Sequence, residues 1–316
     1  MKYTVVLSLA LLSAAPALAM EAYPVTVPDG RGAEVTLEAQ PKRVAALWNA
    51  AADTMVALDL PVAGITTYEG ARPVYLGNSV DAALDLGDIT APNLELLATS
   101  NFDLTIGMTH YNAPYAEEIE QFSKFLSYES LNLDVSLASV ASMGKALGQE
   151  ANAEALNTNF VALIDEMKSQ VPDQPQSTLF IWSFQNVFYG YQENLMTTEL
   201  IAKLGAVNPL GRNPNSDEMG NAFIILEAED LLKHDPDVIM MFVSHGGDVA
   251  YNPAYERLKA YKNNRIYSVG YQYSQPSGPI ARELVLREAA HLIWPDTFDA
   301  PDMPEAARAV PVEFTK

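Results

Sequence analysis

Between Gln149 and Val171 the chain reads QEANAEALNTNFVALIDEMKSQV, with no glycine or proline in the run. Leu156, Phe160, Leu163, Ile164, Met167 and Val171 recur there at the spacing of one helix face. On either side, short apolar runs alternate with amphipathic stretches, the signature of α/β layers. One uninterrupted helix between two such halves leaves few architectures open. It predicts an α/β protein of two Rossmann-like lobes with mainly parallel sheets, joined by one long rigid α-helix. Residues 20–148 form the N-terminal lobe, 149–171 the bridging helix and 172–316 the C-terminal lobe. A helical bridge permits the lobes to rock but discourages large closure.

Residues 1–19 stand outside this scheme as a signal peptide. Lys2 supplies a positive start, VVLSLALL an apolar stretch too short to span a bilayer, and Ala17-Leu18-Ala19 a small-residue cleavage site. Export is therefore expected, with cleavage after Ala19. The chain has no cysteine, which excludes disulfides, thiolate metal sites and a lipid-modified cysteine. An exported protein without a lipid anchor is expected in the periplasm of a Gram-negative cell, without membrane insertion. The formal net charge of −21 repels nucleic acid and anionic head groups.

In the first half RVAAL, VAGIT, DLTIG and FLSYE read as strands. Asn49 is expected to cap the helix after the first strand, and Asn93 the helix of ITAPNLELLATS. In the second half TLFIW and NVFYGY read as a hairpin, followed by a helix stopped at Gly205. A helix PAYERLKAY and a last helix PIARELVLREAAHLIW come later, and the Pro-rich tail is expected to wrap the surface.

Chemistry-bearing motifs are few. No HExxH, GxSxG, GxGxxG or GxxxxGK[ST] occurs. Of the four histidines, His110 and His245 follow apolar strands at the carboxyl ends where open α/β sheets bind ligands. SHGGD, Ser244–Asp248, resembles an oxyanion loop in composition only. Aromatic residues gather at the same ends: Trp48, Tyr68, Tyr75 and Tyr111 in the first lobe, and Trp182, Phe184, Tyr189, Tyr191, Tyr271 and Tyr273 in the second. Such side chains pack a ligand's apolar body and offer hydroxyls to its polar rim. Arg72 and Arg212 are the cationic candidates for the same cleft. A periplasmic enzyme acting in the cleft is the rival reading, and it needs a nucleophile and base that no spacing here supplies.

Two segments echo each other: ELLATSNFDLTI from Glu95 and EDLLKHDPDVIM from Glu229. In each, a glutamate opens a short helix and an aspartate eight residues later opens a strand. These segments, together with VTVPDGRGAEVTLEAQPKRVAAL (Val25–Leu47) and RLKAYKNNRIYSV, resemble the helical-backbone (class III) periplasmic solute-binding proteins of ABC importers. The resemblance covers nearly the whole exported chain. It implies a binding protein without cofactor or enzymatic activity, capturing a ferric siderophore, with cobalamin or haem as alternatives. It also implies that Glu95 and Glu229 dock into the permease dimer, and that the protein binds iron only within its ligand. The scarcity of cleft arginines favours a hydroxamate-type complex of low charge. A monomer is expected.

Overall fold

The computed structural model describes residues 23–193, 195–213, 223–244 and 247–315. The chain opens with an antiparallel pair, β1 (Val25–Pro28) and β2 (Glu34–Leu37). Six strands then build the first sheet: β3 (Val44–Ala46), β4 (Gly64–Thr67), β5 (Leu84–Asp88), β6 (Ala91–Pro92), β7 (Leu104–Met108) and β8 (Lys124–Tyr128). Their order is β6-β5-β4-β3-β7-β8. All neighbours run parallel except the short β6. β3, β4 and β7 are buried at every position, as parallel strands covered on both faces must be. The strand order reverses between β3 and β7, which is where doubly wound sheets open a ligand crevice.

Helices α1 (Asn49–Ala57), α2 (Leu94–Thr99), α3 (Thr109–Asn112) and α4 (Ala116–Ile119) lie within the first lobe. Asn93 caps α2, its Oδ1 accepting from Leu96 N at 2.9 Å. Asn49 is no cap: it is the first residue of α1 and turns its amide toward the other lobe instead.

α5 (Leu133–Ala146) leads through Gly148, at φ +70°, into the bridge α6 (Glu150–Gln170). The periodic apolar face divides between the lobes. Ala153 and Leu156 pack into the first lobe's core, whereas Phe160, Ile164 and Met167 pack into the second's. Where α5 and α6 cross, a side chain on Gly144 would sit 2.2 Å from the Ala153 Cβ, so only glycine lets them meet.

The second lobe contains β9 (Thr178–Phe184), β10 (Val187–Tyr191), α7 (Met196–Lys203), β11 (Phe223–Leu226), α8 (Ala228–His234) and β12 (Val238–Val243). Then follow β13 (Val249–Ala250), α9 (Lys259–Lys262), β14 (Ile266–Val269), α10 (Pro279–Ile293), β15 (Val310–Pro311) and β16 (Phe314–Thr315). The sheet order is β11-β10-β9-β12-β14-β15. Three central strands are parallel; β10, β11 and β15 join antiparallel. The expected hairpin is present, closed by Gln185 and Asn186, both at positive φ.

Two further expectations fail for identifiable reasons. PAYERLKAY is not one helix: Leu258 is extended at ψ 141°, because Asp235 Oδ1 accepts from Lys259 N at 2.8 Å and starts α9 afresh. The tail does more than wrap the surface. Met303 and Ala307 enter the first lobe's core, while β15 and β16 pair with β14 and β13 of the second.

The repeated aspartates have one structural job. Asp103 accepts the N–H groups of Lys42 and Arg43 just before β3, at 2.8 and 2.9 Å. Asp237 accepts the N–H of Ser177 just before β9, at 2.9 Å. Each carboxylate thus fixes the start of the parallel strand beside its own.

Candidate functional site

The carboxyl ends of both central sheets meet across an inter-lobe cavity of about 240 Å³. From β4 comes Tyr68. It is held by a two-residue turn in which Glu69 and Gly70 both have positive φ, and Tyr68 and Ala71 exchange backbone hydrogen bonds at 2.9 Å. This is the geometry of a type I′ turn. His110 and Tyr111 come from α3, directly after β7, their rings 4.8 Å apart and edge to face.

The second lobe contributes the opposite wall. Trp182 on β9 pairs in register with Tyr189 on β10, and Tyr191 pairs with Phe223 on β11. Trp182, Tyr191 and Phe223 line the cavity. Phe184 and Tyr189 flank Trp182, with ring centroids at 5.5 and 5.0 Å, and extend its aromatic surface outward. The indole N–H of Trp182 donates to Ser244 Oγ at 2.5 Å, which fixes the ring plane. Tyr271, after β14, stacks on Tyr68 from across the lobes.

The floor is the segment Ser274, Gln275 and Pro276. The first lobe holds this segment tightly. Trp48 Nε1 donates to Gln275 Oε1 at 3.2 Å, and Asn49 Nδ2 donates to the Gln275 carbonyl at 3.4 Å. Asp53, fully buried in α1, accepts the N–H groups of Ile280 and Ala281 at 2.7 and 2.8 Å, capping α10 from the other lobe. Arg282, also buried, donates to Asn157 of the bridge at 2.8 Å and lies 4.6 Å over the Phe160 ring.

Several sequence-predicted residues therefore lie elsewhere. Trp48 and Tyr75 are buried in the inter-lobe junction, where Tyr75 OH receives Asn49 Nδ2 at 3.3 Å. Tyr273 is fully buried in the second lobe's core against Phe180. Arg72 spends its guanidinium on the carbonyls of Val80 and Ala83, at 2.6 and 2.8 Å. Arg212 is exposed and does not line the cavity. His245 lies outside the described residues. Sequence reasoning missed Ser130, Leu195, Met196 and Thr197, loop and helix-start residues whose place depends on the docking of the lobes.

The electrostatics are those of neutral phenols. Burial, then the nearby Glu69 carboxylate, raises the Tyr68 phenol well above its usual range. Tyr111 is raised by burial and then by Asp88, Tyr191 by burial and then by Tyr68 and Tyr111, and Tyr271 by burial and the same phenols. These hydroxyls stay protonated at physiological pH and serve as hydrogen-bond donors. No lysine or arginine is among the described residues lining the cavity.

A larger groove, about 700 Å³, opens between α6, the start of α10 and the tail. None of the strand-end residues reaches it, so the inter-lobe cavity is the functional candidate. Among the described residues, no three His, Asp or Glu side chains are placed to hold a metal ion. No described helix is long and apolar enough to cross a membrane.

Comparison with known proteins agrees with this geometry. The family model described as periplasmic binding protein matches residues 44–273. The ABC transporter substrate-binding lipoprotein YhfQ of Bacillus subtilis is 25% identical over 245 residues, covering 72% of this chain and 76% of that protein. The Fe(3+)-citrate-binding protein YfmC of Bacillus subtilis is 23% identical over 243 residues, covering 74% of this chain and 75% of that protein. The solved structure of the triscatecholate siderophore binding protein FeuA from Bacillus subtilis, complexed with ferri-bacillibactin, superposes with a TM-score of 0.72. It is 18% identical and covers 85% of this chain and 98% of that one. At that identity the likeness establishes the fold. The match over most of the chain and the cleft between two lobes lead to one conclusion: the chain belongs to the periplasmic binding protein family, and it binds a substrate rather than transforming one.

Proposed function

We propose that this protein captures a ferric siderophore in the inter-lobe cavity and delivers it to an ABC importer. The supporting observation is the lining itself: aromatic faces and protonated phenols from both lobes, with no lysine or arginine among the described residues. Such a surface packs an apolar ligand body and donates hydrogen bonds to its metal-bound oxygens. A hydroxamate-type complex, neutral or nearly so, suits it better than a citrate or triscatecholate complex of the kind the relatives bind. Haem is the second reading, favoured by exposed His110 beside Tyr111 at the cavity. Cobalamin fits the aromatic lining but has no observation of its own.

In this reading residues 1–19 direct export to the periplasm. Glu95 and Glu229 then meet the two permease subunits. Both are exposed, and both hold the second position of short helices, α2 and α8. The equivalence supports a paired docking surface, one carboxylate per lobe.

Tryptophan fluorescence titration with ferric hydroxamates, ferric catecholates, haem and cobalamin tests the ligand. A ferric hydroxamate should quench with a Kd below ~10 μM. Tight binding of haem alone would transfer the reading to haem, and binding by none would end it.

A further inference from the structure

The antiparallel corner of the second sheet turns one of its faces away from a core. Trp182 on β9 pairs with Tyr189 on β10, and Tyr189 pairs with Ile225 on β11, so the three side chains form one cross-strand row. Tyr191 and Phe223 belong to the next row on the same face. The opposite face is occupied: Phe188 and Leu226 sit in a core with Leu179 and Ile181. In an antiparallel sheet with one buried face, the other is ordinarily polar. Here both rows are aromatic or aliphatic.

This face starts inside the cavity and leaves it. Trp182, Tyr191 and Phe223 line the cavity, whereas Tyr189 and Ile225 lie beyond its lining. Tyr189 is half-buried and Ile225 is 61% exposed. Scattered apolar residues on a surface need no explanation, but a row continuous with a ligand cavity does. At about 240 Å³ the cavity also falls below the roughly 300–1,000 Å³ of sites for drug-sized ligands, so an iron chelate seated there extends past it. The relief of the face shows what kind of extension it suits. The rings of Trp182 and Tyr189 are tilted by 30°, those of Tyr191 and Phe223 by 41°, and Tyr189 stands at 89° to Phe223. They offer no common plane to a flat aromatic ligand. A ridged surface ending in a branched aliphatic side chain suits a flexible saturated chain. From Trp182 to Ile225 the row crosses two strand spacings, about 10 Å, the length of an extended chain of roughly eight carbons.

We propose that the row of Trp182, Tyr189 and Ile225 is a subsite for a saturated acyl chain carried by the cargo. The proposal rests on the ferric-chelate reading for the rest of the ligand: the iron centre sits in the cavity and the chain lies outward along the face. The cargo is then an amphiphilic chelate rather than a wholly polar one. Its chain removes Ile225 and the Tyr189 ring from water, and it is held by apolar burial and dispersion rather than by hydrogen bonds.

The test uses the exported protein and three ferric tris-hydroxamates, identical except for the group on a terminal amine: acetyl, octanoyl or benzoyl. Each is titrated by tryptophan fluorescence, alongside octanoylglycerol, which has the chain and no iron centre. A methylene fully removed from water adds about fourfold in affinity and a half-covered one about twofold, so the six extra methylenes of the octanoyl form should tighten binding about fiftyfold over acetyl. Ile225→Asp should cancel most of that gain, and Ile225→Leu should keep it. Val310→Asp, which alters an exposed apolar residue on the far edge strand β15, should leave the gain untouched. Equal affinities for the acetyl and octanoyl forms would overturn the chain proposal and leave the chelate reading standing. So would a gain that Ile225→Asp keeps or Val310→Asp loses. A larger gain from the benzoyl form would overturn the choice of a chain, and a wild-type dimer that Ile225→Asp abolishes would assign the face to a second copy instead. Quenching by octanoylglycerol that Ile225→Asp abolishes, with no response to any chelate, would sustain the chain site and remove the chelate reading. Silence from every probe would remove both.

Discussion

Tyr68 of the first lobe stacks on Tyr271 of the second, their ring centroids 4.7 Å apart and their planes 14° from parallel. The contact joins the ends of β4 and β14 and backs Tyr68, which lines the cavity, with a ring from the other lobe. A stacked pair contributes roughly 0.5–1.5 kcal/mol beyond its buried area. Tyr271→Leu should therefore weaken ligand binding by about three- to tenfold in a fluorescence titration, while Tyr271→Phe, which keeps the ring, should bind nearly as the wild type.

Asp53 joins the lobes near the floor by accepting two N–H groups of α10. Replacing it by alanine strips two N–H groups at the start of α10 of their acceptor and removes a carboxyl whose charge acts on the buried Arg282. Loss of a buried acceptor costs about 1–3 kcal/mol, so Asp53→Ala should lower the Tm by several degrees. Gly278→Ala should act in the same direction, since its Cβ would lie 2.2 Å from Asp53 Cγ.

The same carboxylate gives a pH signature. Burial raises the Asp53 pKa from its ordinary value to about 7, against the pull of the two N–H groups. The folded state then holds a proton that the unfolded state releases near pH 4. The contribution to stability is present below pH 4 and is lost as pH rises toward 7. Denaturant unfolding of the wild type and Asp53→Asn at pH 4, 5.5 and 7 should show the wild type losing ground to the variant across that window. A constant difference would contradict the assignment.

Asp103 and Asp237 make a matched pair of strand clamps, so Asp103→Ala and Asp237→Ala should each destabilise by about 1–2 kcal/mol. Ligand affinity should stay unchanged in both, because neither residue reaches the cavity.

Glu95→Ala and Glu229→Ala should abolish import of the ligand in cells and leave its affinity in solution intact. Lost affinity in either variant would contradict a docking role for that residue.

The lobes and the bridge were legible because each is written in local periodicity. Phe160, Ile164 and Met167 show their helix face to any reader of the sequence, and the buried runs of β3 and β7 need no long-range knowledge. The aromatic walls were legible for a similar reason, since strand ends of open α/β sheets face the crevice. What local pattern cannot show is which strand-end residue the other lobe covers. Trp48 follows β3 as Tyr68 follows β4, yet Gln275, 227 positions away, covers Trp48. Arg72 had the right charge and the right loop, but carbonyls a few residues on consume its guanidinium. The floor residues Ser274 and Pro276 carry no motif, and their segment is brought under the cavity by contacts from the other lobe, Trp48 and Asn49 to Gln275 and Asp53 to α10.

The central claim is that the cavity between Tyr68, Tyr111 and Trp182 holds an iron chelate. Diffraction from crystals grown with a ferric hydroxamate, recorded at the iron absorption edge, tests it directly. The account predicts one anomalous peak between the two lobes, within reach of the phenols of Tyr68 and Tyr111. An iron peak in the groove between α6 and α10, or none in a crystal soaked to saturation, would contradict it.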